Sequence, residues 1–225
     1  MVIKENYLHK ILPLLIGVIF FLSSSCEPKD DLYLALDFEI PVSIYPAKEI
    51  YHVGDTLAIE ILFPKNLPDK TGNYSPTFEP FDFQGVLIFR ELKHKNQDSA
   101  DQPGAFGSAR FINSVGSIEV IGSSGAELNY SFDGEFYHLK VNMILGRTGL
   151  YSMLFATNNS AYNPNFNGNL SVEGKIASIK DIHYKVNNGI LNNNHLIFNN
   201  TTSFWDDNDG VNKWYQPRFS FEVVE

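Results

Sequence analysis

Apolar side chains recur at every second position in four segments of this chain, and that spacing restricts the fold more than any other feature. Leu32, Leu34, Leu36, Phe38 and Ile40 fall on one side of an extended run, with Tyr33, Ala35, Asp37 and Glu39 on the other. The alternation returns at Leu57, Ile59, Ile61 and Phe63, at Tyr137, Leu139, Val141, Met143 and Leu145, and at Phe219, Phe221 and Val223. Successive side chains of a β-strand point to opposite faces, so period two reads as strands with one buried face. The pattern predicts strands over 32–40 (stopped by Pro41), 57–63, 135–145 and 218–224. Residues 85–92 read as another strand and 117–121 as a short one. A strand over 127–132, with Leu128, Tyr130 and Phe132 on one side, should pair with 135–145 across the Asp133-Gly134 turn as a hairpin.

Between these runs the sequence is polar or ambiguous. Residues 64–82 are rich in Pro, Asn and Asp and read as a loop, as do 93–107 and 158–169. Over 175–186 the apolar residues at 176, 179, 182 and 186 fit a helix face about as well as a strand. Residues 187–200 suit a short helix, and 201–215 look irregular. The expected architecture is all-β: one sandwich domain over 32–225, with a long irregular, partly helical insertion at about 158–215 before the last strand. The abundance of Phe (18) and Tyr (11) fits strands. Cys26 is the only cysteine of the 225 residues, so a domain over 32–225 must be held by packing rather than disulfides. Thiolate metal sites and a cysteine nucleophile are thereby excluded from it.

Two internal stretches resemble known motifs. Ile144-Leu-Gly-Arg-Thr-Gly-Leu-Tyr151-Ser-Met153 resembles the tyrosine corner of immunoglobulin-like sandwiches. The resemblance implies that the Tyr151 hydroxyl turns back onto the backbone of residues 145–149. Met153 stands where immunoglobulin domains have a disulfide cysteine. The other reading of Tyr151 is an ordinary core tyrosine. Residues 51–61, Y-x-V-G-D-T-L-x-I-x-I, resemble the start of an early strand in bacterial immunoglobulin-like domains.

The N-terminus has the layout of an export signal: Lys4, His9 and Lys10, an apolar run from Ile11 to Leu22, then Ser23, Ser24 and Ser25. With Cys26 next, the stretch resembles the lipobox of bacterial lipoproteins, in the loosened form of the Bacteroidetes, with Ser23 where a leucine is usual. The resemblance implies that Cys26 becomes the acylated mature N-terminus. The following Glu27-Pro28-Lys29-Asp30-Asp31 resembles the export tag of Bacteroidetes surface lipoproteins, carried by Lys29, Asp30 and Asp31. Read without the resemblance, it is a solvated charged tether. The tether is short, under about 20 Å at 3.3–3.6 Å per residue, so the domain must sit close to the membrane.

Candidate chemistry is sparse. The formal net charge of −9 becomes one unit more negative without residues 1–25, which argues against nucleic acid and anionic membrane surfaces as partners. Trp205-Asp-Asn-rich chain to Gly210 fails calcium-loop spacing, and the six histidines do not cluster. No catalytic residue, metal or cofactor is expected. Ser99, in Asp98-Ser99-Ala100, resembles the O-glycosylation acceptor of Bacteroidetes more plausibly than Thr56, which enters a strand. Tyr162, Phe166, Trp205, Trp214 and Tyr215 lie among amides in late loops, where they could stack on sugars or pin the insertion to the sandwich. The layout as a whole resembles Bacteroidetes surface lipoproteins. That resemblance implies an outer-membrane anchor facing the cell exterior and a non-enzymatic binding or structural module for a neighbouring envelope protein. The alternative is a glycan-binding accessory of a polysaccharide-uptake system.

Overall fold

The structure, a computed structural model, describes residues 33–78, 81–92, 102–157, 170–172, 175–200 and 217–225. In chain order its strands are β1 (Tyr33–Tyr45), β2 (Ile50–His52), β3 (Thr56–Pro64), β4 (Gly85–Glu91), β5 (Ala109–Val115), β6 (Ser117–Val120) and β7 (Gly125–Asn129). Then come β8 (Ser131–Phe132), β9 (Phe136–Leu145), β10 (Gly149–Thr157), β11 (Leu170–Val172), β12 (Lys175–Val186) and β13 (Arg218–Val224). A short helix α1 (His195–Asn200) lies between β12 and β13. The strands form two mixed sheets. One runs β11-β12-β1-β3-β9-β5, with β8 also on β9; the other runs β2-β13-β10-β4-β7-β6. The protein is an all-β sandwich.

The alternating residues supply the inner faces. Leu36, Phe38, Ile40, Val42 and Ile44 of β1 are buried, as are Leu57, Ile59, Ile61 and Phe63 of β3 and the five predicted positions of β9. They meet Leu87 and Phe89 of β4, Tyr151, Met153 and Phe155 of β10, and Phe219, Phe221 and Val223 of β13 in a single core. At one end, Phe63, Phe78, Phe81, Phe83, Tyr130 and Tyr137 pack ring against ring, with Phe83 at the centre. The described residues of loop 64–82 close that end. Their anchor is the buried Asp69, whose carboxylate accepts bonds from Thr71 Oγ1 (2.6 Å) and the Tyr74 N–H (2.9 Å).

Four expectations change in detail. β1 does not stop at Pro41 but continues to Tyr45. Pairing with β3 begins only at Val42, so one side of the strand is without a ladder at Pro41 and the missing N–H loses no bond there. The run 127–132 is not one strand. It leaves the second sheet after Asn129, and only Ser131 and Phe132 pair with β9, against His138 and Tyr137. The Asp133-Gly134 turn is as expected, with Asp133 Oδ1 accepting the Phe136 N–H at 2.7 Å.

The third change concerns the insertion, which contributes a full strand. Residues 175–186 are β12, lying parallel to β1 within the first sheet. A register shift opposite Leu36/Asp37 leaves Lys180 with no residue of β1 opposite it in the ladder. Buried residues therefore fall at 177 and 179 before the bulge, then at 182, 184 and 186 after it. One extra residue flips the inward phase, which turned a period of two into a spacing that resembled a helix. Fourth, β5 was not anticipated. It continues into β6 through Gly116, where the chain changes sheets with φ +61°, and a Cβ there would lie 2.4 Å from the Asn129 carbonyl oxygen. Only glycine fits. The predicted loop over 158–169, most of 93–107 and the stretch 201–215 lie outside the described residues.

Candidate functional site

β1 enters the sandwich at Tyr33 and ends at Tyr45, which defines a near end and a far end. The outward face of the first sheet is charged and balanced. Glu60 on β3 lies 3.0 Å from His138 Nε2 and accepts from Lys140 Nζ at 3.4 Å, both across the ladder on β9. Glu39 on β1 accepts from Lys185 at 3.1 Å, Asp37 from Lys180 at 3.2 Å, and Asp181 lies 3.4 Å from His183 Nε2. Half-exposed pairs of this kind are worth about 0–1 kcal/mol each and keep a sheet face solvated. Among the described residues no group of three or more His, Cys, Asp or Glu side chains could hold a metal ion. Inside the sandwich, the Tyr130 and Tyr184 hydroxyls bond to each other at 2.7 Å. Burial pushes both above the ordinary tyrosine pKa, so the pair stays neutral and joins β12 to the β7–β8 crossing.

The far end is built from turns braced by tyrosines. The Tyr151 hydroxyl reaches back to the Arg147 carbonyl at 3.0 Å and the Thr148 carbonyl at 3.2 Å. This is the corner geometry that its sequence resembles. Gly149 makes the corner possible: its φ is +154°, and a Cβ would stand 2.9 Å from the Tyr151 hydroxyl oxygen and 3.1 Å from Glu91 Oε1. Glu91, buried at the end of β4, accepts from half-exposed Arg147 at 2.7 Å. Breaking the hydroxyl bonds should be measurable. Tyr151→Phe is expected to cost about 1 kcal/mol, the net worth of one hydrogen bond, and to lower the melting temperature by about 2–4 °C. An unshifted melting curve would remove the corner's structural role.

A second brace was not legible in the sequence. The buried Tyr51 hydroxyl donates to the Pro46 carbonyl and accepts from the Lys48 N–H at 3.1 Å, closing the turn between β1 and β2. Phe221 packs between the two, 5.4 Å from the Tyr51 ring and 5.7 Å from the Tyr151 ring. Nothing in a Tyr five residues after a Pro separates this brace from an ordinary aromatic on a strand. With both turns fixed, the far end presents exposed Tyr45, Ile50, Val53, Ile190 and Leu191, edged by Lys48, Glu49, Asp55 and His195. Of the ten large hydrophobic residues exposed among those described, these five share one end of the molecule. It is the candidate site.

No protein-family model matches the chain. No curated protein matches it in sequence either. Among solved structures, the human F-spondin reeler domain is similar at 10% identity with a TM-score of 0.31, covering 64% of this chain and 90% of that one. A type II cohesin domain from the cellulosome of Acetivibrio cellulolyticus is similar at 11% identity and a TM-score of 0.24, covering 64% and 91%. The sandwich assignment rests on the two sheets themselves.

Of the residues singled out from the sequence, Tyr151 lies within the described part and takes a structural position. Cys26, Lys29, Asp30, Asp31, Ser99, Tyr162, Phe166, Trp205, Trp214 and Tyr215 all lie outside it. Thr56 opens β3 directly opposite Ile144 of β9. The far-end surface was missed because its members come from three separate stretches, and exposure of an Ile or Leu is not encoded in local pattern.

Proposed function

We propose that this chain is a lipid-anchored protein of the outer cell surface, and that its sandwich is a non-enzymatic, membrane-proximal binding or structural module for a neighbouring envelope protein. The observation that carries the reading is the distance in sequence between Cys26 and β1. Residues 27–32 alone separate the acylated cysteine from a strand that starts at Tyr33. Six residues reach about 20 Å at most. A module on so short a lead meets what lies beside it in the same membrane rather than a distant ligand. The far end supports a binding role, because exposed apolar side chains grouped at one place on a surface mark interaction sites more often than scattered ones do.

Purification of the tagged full-length protein from detergent-solubilised membranes tests the reading. A second envelope protein in fixed proportion is the expected result. A protein that always emerges alone overturns it. Retardation of the purified protein in a polysaccharide gel, abolished by Trp205→Ala or Trp214→Ala, would replace it with glycan binding.

A further inference from the structure

We propose that the end of the sandwich remote from Tyr33 docks a partner protein through an apolar patch centred on Ile190 and Leu191, with Tyr45 and Ile50 beside them. This rests on the reading of the chain as a binding module and assigns the surface that binds. The decisive feature is the turn between β12 and α1. Backbone φ is positive at Asn187 (48°), Asn188 (56°), Gly189 (76°), Leu191 (55°) and Asn193 (53°). Asparagine and glycine enter the left-handed region at little cost, whereas a branched aliphatic side chain meets its own backbone there. Leu191 breaks the rule that the rest of its turn follows. Burial does not compensate, since Leu191 is 64% exposed and Ile190 66%. A residue strained in the backbone and set out in water contributes to neither packing nor solubility. Such departures from local preference gather where a protein binds something.

The turn is held rigidly against residues 44–50. Asn187 Oδ1 accepts the Ile44 N–H at 2.8 Å, Asn193 Nδ2 donates to the Lys48 carbonyl at 2.9 Å, and the Ser220 N–H donates to the Asn192 carbonyl at 3.0 Å. That seating brings Leu191 to the same end as Tyr45 (76% exposed) and Ile50 (51% exposed). The rim carries both signs, with Glu49 3.2 Å from His195 and Lys48 3.8 Å from Asp55. An apolar centre inside a mixed-charge rim is the layout of a protein interface. Nucleic acid or an anionic bilayer would call for a positive excess. Position points the same way: the 13 residues of β1 carry the patch roughly 40 Å from Tyr33 at about 3.3 Å per residue. The patch thus lies at the opposite end of β1 from the residues that lead back to Cys26. The occupant is a protein with an apolar contact surface.

Two measurements on the full chain test this. In the purified protein, Leu191→Asn is expected to raise the melting temperature by about 2–4 °C, because the strain goes and no packing is lost. A fall in melting temperature would show that Leu191 serves the fold, and would overturn the proposal. In membranes, p-benzoylphenylalanine at position 191 is expected to give, on irradiation, one adduct with the protein that co-purifies. That adduct should drop at least tenfold when Ile190→Asp is added and persist with Leu62→Asp, an exposed control elsewhere on the sandwich. No adduct, an adduct only with a second copy of this chain, or one indifferent to Ile190→Asp overturns the patch. If a partner co-purifies without the adduct, the patch falls and the binding-module reading stands; if neither appears, both fall.

Discussion

Cys26→Ala is expected to shift the protein from the membrane fraction to the soluble fraction almost completely. A fatty-acid analogue supplied during growth should label the wild type and leave the variant blank. The expected effect is large because, once the apolar run Ile11–Leu22 is removed with the signal, no helix among the described residues is long and apolar enough to cross a membrane. Each buried CH₂ of an acyl chain is worth about 0.8 kcal/mol, so two or more chains hold a protein stably where one is marginal. The chain is acidic, with a formal net charge of −9 that becomes one unit more negative without residues 1–25, and is repelled by anionic headgroups. A Cys26→Ala protein that still sediments with membranes, or a wild type without label, would leave the module with no fixed address. The docking surface at Leu191 could then no longer be placed relative to a bilayer.

Phe83→Ala is expected to be the most damaging single change within the sandwich. Its ring lies 4.9 Å from those of Phe63, Phe81 and Tyr137, 5.2 Å from Phe78 and 6.1 Å from Tyr130. Truncation opens a cavity that five large, mutually locked rings cannot fill, and losses of this kind run to about 3–5 kcal/mol. At about 2–4 °C per kcal/mol for a domain of this size, the melting temperature should fall by about 10 °C. Phe136→Ala removes the same side chain from an exposed position on β9 and should change stability by less than about 0.5 kcal/mol. Equal effects from the two substitutions would mean that the aromatic cluster does not close the near end.

Much of the sandwich was legible wherever a strand has one wet face. β3 and β9 follow their alternation residue by residue, because each buries one side and leaves the other partly exposed. β13 keeps Phe219, Phe221 and Val223 inward although Arg218 and Ser220 are buried as well. Legibility failed where geometry interrupts the period. The bulge at Lys180 gave β12 the spacing of a helix, and the sheet change after Asn129 divided what looked like one arm of a hairpin. β5 was missed for a different reason: as an edge strand it leaves Arg110, Ile112, Asn113 and Ser114 exposed, so its sequence carries little contrast between faces. The Tyr151 corner could be read because its Gly, Tyr and Met positions are local. The far-end patch could not, since Tyr45, Ile50 and Leu191 are brought to one end by long-range links: the Asn187 and Asn193 side-chain bonds, the Ser220–Asn192 backbone bond and the pairing of Ile50 with Glu222.

The parallel alignment of β1 with β12 has a mechanical corollary. β1 is an interior strand, bonded to β12 from Tyr33 to Val42 and to β3 from Val42 to Tyr45. A tug arriving through residues 27–32 pulls along that strand, so its ladder bonds are sheared together instead of unzipping one at a time. Forced unfolding is governed by the height of the barrier to opening. Under the proposed anchorage, tension between the membrane and a partner at the opposite pole would load β1 in shear along its ladders to β12 and β3.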